Sequence, residues 1–160
     1  MRTSRTTAIA IGHRLLVGLF GLANLAVLAG CGNGRIATYP VTGTVNVDGR
    51  PAEGALVIFC PVEPSAELEH LRPAGKSDAS GHFELTTFDP ADGAPAGQFK
   101  VLVKWPAPTP PGEDREGRPG AANKGPDRLK GKFYNLDTTP LTATIEEQSN
   151  ELPPFELKSQ

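Results

Sequence analysis

The chain has 160 residues, 38% of them hydrophobic, which suits one core rather than two domains. Its Gly 18 and Pro 16 punctuate turns and disfavour long helices. A formal net charge of -2 argues against nucleic acid as a partner, 2 cysteines are too few for a disulfide framework, and 3 scattered histidines leave little for a metal site.

Arg2, Arg5 and Arg14 form a basic leader without an acidic residue. The apolar run from Leu15 to Ala29 follows, interrupted by small residues and Asn24. It is too short to span a bilayer as a helix, which takes roughly 20 residues, and has the length of a signal-peptide core. Residues 1–30 therefore read as a signal peptide. Leu28-Ala29-Gly30-Cys31 at its end resembles the lipobox of bacterial lipoproteins. The resemblance implies cleavage before Cys31, diacylation of its thiol and a stable membrane anchor. An ordinary secretory signal with a cysteine near its cleavage site is the alternative. Residues 31–39, mostly small or polar, read as a tether.

The mature domain, residues 40–158, opens with alternation: Val41, Gly43, Val45 and Val47 against Thr42, Thr44 and Asn46. Asp48-Gly49 signals a two-residue hairpin, and Ala55 to Cys60 is apolar on both faces, as befits a strand inside a sandwich. Residues 62–73 read as a Glu-rich loop and 75–79 as a short strand. Asp78 to Gly81 reads as a turn, and 82–88 as an alternating strand with Phe83 and Leu85 on one side. In 98–105, Phe99, Val101, Val103 and Trp105 face in while Gln98, Lys100 and Lys104 face out, and Leu102 spoils the polar face. Leu141 to Glu146 alternates again. Leu152 to Leu157 closes the set, at an edge or beginning only at Phe155, because Pro153-Pro154 donates no ladder bonds.

Between them, residues 106–132 are rich in proline, glycine and charge, and read as a long mobile Pro/Gly-rich loop. Deleting Gly112 to Lys130 is then expected to leave the melting temperature nearly unchanged, since closure entropy varies slowly with loop length. Seven short strands without sustained helical period predict an all-β, antiparallel sandwich.

Several segments resemble transthyretin-like, or carboxypeptidase regulatory-like, domains. Gly43 to Phe59 (GTVNVDGRPAEGALVIF) is similar to that family's opening hairpin, and Asp78 to Leu85 (DASGHFEL) to its next turn and strand. Asp92 to Val103 (DGAPAGQFKVLV) resembles the strand after it. Lys132 to Asn135 (KFYN) and Thr139 to Thr142 (TPLT) resemble the late segment of a lipoprotein subgroup. The resemblance implies a seven-stranded, Greek-key, prealbumin-like sandwich in an extracytoplasmic, usually non-catalytic domain. Hydroxyisourate hydrolases of the wider fold end in Tyr-Arg-Gly-Ser. This chain ends in Glu156-Leu-Lys-Ser-Gln160, so that activity is not implied.

No nucleophile–base pair or metal set emerges, so no enzyme activity and no cofactor are expected. Cys60 reads as an inert buried thiol, with an edge thiol as the alternative. The expectation is a cell-envelope lipoprotein, anchored through Cys31 at the periplasmic face or the outer membrane. Its sandwich would act as a structural or protein-interaction module. The alternative is a carbohydrate- or small-ligand-binding module with Trp105, Phe133 and Tyr134 as an aromatic platform. Partners would be the membrane and an envelope protein or glycan.

Overall fold

The computed structural model describes residues 35–63, 65–108 and 125–159. The expected signal peptide, Cys31 and the stretch 109–124 of the expected loop lie outside the described residues. Residues 36–159 belong to one compact unit.

Among the described residues there is no helix, and nine strand segments form two sheets. They are β1 (Val41–Val47), β2 (Arg50–Pro51), β3 (Leu56–Pro61), β4 (Ala74–Lys76) and β5 (His82–Glu84). After them come β6 (Gly97–Lys104), β7 (Thr142–Ile145), β8 (Asn150–Glu151) and β9 (Phe155–Leu157). In the first sheet β1 is central, with β2 and β5 along one side and β8 and β9 along the other. The second sheet runs β4-β3-β6-β7.

The Asp48-Gly49 turn forms as its residues require, with φ of 51° and 76°, both left-handed. Its hairpin closes only on Arg50 and Pro51, opposite Val47 and Asn46. β3 does not pair with β1, which corrects the expectation of one long hairpin. The ladder runs one bond past Pro51, the Ala52 N–H donating to the Val45 carbonyl at 3.0 Å, and the chain then turns the corner at Ala52 to Ala55 into the other sheet. Both alanines are fully buried. Ser77 fastens that corner: its hydroxyl donates to the Ala52 carbonyl and accepts from the Ala55 N–H at 2.9 Å. β1 and β3 thus face each other across the core instead of lying side by side.

A second correction concerns direction. β8 and β9 run parallel to β1, so the first sheet is mixed rather than antiparallel. The closing strand does begin at Phe155, after the two prolines. The sheets meet along one side, where Ala74 and Thr86 exchange backbone bonds of 2.9 and 3.0 Å.

The core holds Val45, Val57, Phe59, Phe83, Leu85, Phe99, Val101, Val103, Ile145 and Leu157. Leu141 and Phe155 are only partly buried against it. Gly43 lies opposite Phe83 on the neighbouring strand, and a Cβ there would come within 2.6 Å of the Phe83 ring. Glycine at this inward position is what lets the ring fill the first sheet's core.

The expected loop departs most from its reading. Residues 125–132 are held against the domain, and Leu129, at 1% exposure, belongs to the core. The Asp127 carboxylate accepts N–H bonds from Trp105 (2.9 Å), Leu129 (3.1 Å) and Gly131 (2.8 Å), which winds this segment into consecutive turns. A lone leucine among charges carries no period, so alternation could not flag it.

Candidate interaction face

The β3–β6 ladder pairs Leu56 with Lys104, Ile58 with Leu102 and Cys60 with Lys100. Ala74 and Lys76 of β4 lie opposite Ile58 and Leu56, and Thr142 of β7 lies opposite Lys100. Because odd-numbered Val57, Phe59, Phe99, Val101 and Val103 are buried, these even-numbered partners share the outer face. Its centre is aliphatic: Leu56, Ile58 and Leu102. Its charges are Lys76, Lys100 and Lys104, and none of the four strands puts a carboxylate there.

Three neighbours enlarge the apolar area. Val62 continues β3, its N–H bonded to the Gln98 carbonyl at 2.9 Å. The Lys100 ammonium donates to the Leu136 carbonyl at 2.8 Å, and the Lys104 ammonium sits 5.8 Å from the centre of the Tyr134 ring. Val62, Tyr134 and Leu136 are the exposed large hydrophobics among the described residues, at 43%, 41% and 42%. All three border this one face. Beyond Val62, a groove of about 380 Å³ is lined by Pro61, Glu63, Leu68, Gly97, Gln98 and Phe99.

Cys60 has an outward register position yet is 4% exposed. Burial pushes its thiol pKa up, with the Arg72 guanidinium pulling weakly the other way. Such a thiol stays protonated and unreactive at neutral pH.

The aromatic residues read as a platform differ in exposure. Phe133, at 6% exposure, points into the core, while its carbonyl accepts from Val103 at 2.9 Å. Trp105 packs against the core, its indole N–H bonded to the Glu53 carbonyl at 2.9 Å. The Arg128 guanidinium covers its ring at 3.3 Å. Tyr134 is the exposed member. The three rings therefore do not present one open stacking surface, because Phe133 is buried and Arg128 covers Trp105. The outer face was missed in the sequence, although Leu102 and the doubly apolar β3 were its visible signal.

Among the described residues, no group of three or more His, Cys, Asp or Glu side chains gathers as metal ligands would. His82 and Glu84 stand two apart on β5, and the Asp78 carboxylate accepts the His82 and Ser80 N–H groups at 3.0 and 2.8 Å. The Ser80 hydroxyl, at 2.7 Å, is the main cause holding Asp78 below the usual carboxylate range. Its part is to shape the turn.

No protein-family model and no curated protein matches the chain. Among solved structures, a DUF3823 family protein from Parabacteroides merdae is 10% identical, with a TM-score of 0.36, over 74% of this chain and 45% of that one. A 9R-lipoxygenase from Cyanothece is 13% identical, with a TM-score of 0.35, over 76% of this chain and 16% of that one. The chain spans less than half the length of either. Neither likeness is close enough to carry a fold or an activity across.

Proposed function

We propose that the chain is an exported lipoprotein, held to a membrane of the cell envelope by an acylated Cys31. Its domain is a non-catalytic structural or interaction module of transthyretin-like, Greek-key type. The observation that carries the anchor is the Leu28-Ala29-Gly30-Cys31 sequence closing an apolar run of signal-peptide length. The interaction role is supported by the outer face of the second sheet, which gathers the exposed apolar side chains. Glycan binding through Trp105, Phe133 and Tyr134 is the weaker reading, since Tyr134 alone offers an exposed ring.

An intact-mass spectrum of the protein extracted from membranes tests the anchor. A chain beginning at Cys31 and carrying acyl chains is the expected result. An unmodified residue 31 overturns it.

A further inference from the structure

We propose that the outer face of the second sheet lies on an anionic lipid surface, so that the domain is oriented on its membrane as well as tethered to it. The inference rests on the lipoprotein reading above. Three observations favour a bilayer over a protein partner. The face combines an aliphatic centre at Leu56, Ile58 and Leu102 with lysines as its cations. Lysine is depleted at protein–protein interfaces but suits a lipid boundary, where its stem lies on the acyl region and its ammonium reaches the headgroups. Tyr134, with an apolar ring and a polar tip, borders the same face, as tyrosine does at membrane–water boundaries.

Charge supports the same orientation. The first sheet turns Glu84, Glu151 and Glu156 outward, against Arg50 on β2 and Lys158 after β9, so that side is acidic on balance while the second sheet's strands carry only lysine charges. Acidic residues also flank the lysine face at both ends, Glu63, Glu67 and Glu69 near Val62, Asp137 beside Leu136 and Glu53 near Lys76 and Lys104.

The chain enters the sandwich at Tyr39, whose backbone pairs with Ala94. The compact unit begins at Ile36, so the tether of five residues, 31–35, reaches at most about 17 Å from the anchor. Tethering also keeps the local lipid concentration high, so a weak contact suffices.

The test uses the full lipidated protein in vesicles of phosphatidylglycerol mixed with phosphatidylcholine, and in phosphatidylcholine alone. A water-soluble amine reagent, read by mass spectrometry, reports each lysine. The expected result is several-fold protection of Lys76, Lys100 and Lys104 in the anionic vesicles only, with Lys158 unchanged as the control. Lys76→Glu with Lys104→Glu should abolish the protection of Lys100, each reversal removing at least the roughly five-fold attraction of one cation. Equal labelling in both vesicles overturns the proposal. Protection found in native membranes but absent in protein-free anionic vesicles also overturns it and assigns the face to a protein. Failure of the protein to float with either vesicle would instead refute the anchor, so the two ideas fail separately.

Discussion

The two sheets share a core but turn opposite chemistry outward. The first shows Thr42, Thr44, Asn46, His82, Glu84, Glu151 and Glu156, polar but for Pro51. The second shows leucine, isoleucine and lysine. A sandwich needs only its inner faces apolar, so the first sheet is what folding alone requires. The aliphatic residues outside the second sheet bury less area than inward ones and add correspondingly less stability. The difference teaches where selection for something other than folding is to be sought.

Adjacent residues of β3 separate the inner and outer faces most strongly. Phe59→Asp is expected to unfold the domain or cost more than about 4 kcal/mol, because an unpaired charge would enter the core. Ile58→Asp, one residue away and outward, is expected to cost about 1–2 kcal/mol. Urea unfolding followed by the fluorescence of Trp105, the sole tryptophan, measures both. Similar losses would mean that the second sheet's outer face is really interior.

Leu129→Ala comes next, with an expected loss of about 3 kcal/mol from the cavity left in the core. By the same reasoning, deleting Gly112 to Lys130 is no longer expected to be silent, since it removes Leu129 and the Asp127 carboxylate with it. A melting temperature unchanged by Leu129→Ala would return this segment to the surface.

Asp92 secures the link from β5 to β6 and so joins the two sheets. Its carboxylate accepts N–H bonds from Thr87 (2.7 Å), Phe88 (3.0 Å) and Asp89 (3.1 Å). Burial raises its pKa, but the N–H bonds from Thr87, Asp89 and Phe88 outweigh that and hold it below 3.8. A pKa depressed by folding contributes stability above the unfolded value, and the contribution is lost as pH falls through the folded value. Asp92→Asn is therefore expected to cost about 1–2 kcal/mol at pH 7 and progressively less in acid, where wild type and variant converge. Parallel stability curves down to pH 2 would refute it.

The smallest effect belongs to the first sheet's outer face. Thr44→Val is expected to change stability by less than about 0.5 kcal/mol by thermal melting, because the position is partly exposed on a polar surface. A gain above that range would show that this face is covered in the folded protein.

Period-two alternation was enough to read β1, β5, β6 and β7 and most of the buried set. The Asp48-Gly49 pair located its own turn, since left-handed backbone is carried in the residues themselves. These are local properties, and local sequence determines them. What β3 pairs with was decided by the tertiary structure, through a buried alanine corner pinned by a serine 22 residues away. The parallel placement of β8 and β9, the burial of Leu129 and Phe133, and the unequal exposure of the three aromatic rings were decided there too. So was the gathering of Val62, Tyr134 and Leu136 beside one lysine-bearing face. Each depends on residues far apart in the chain, whose contact has no signature in spacing or composition.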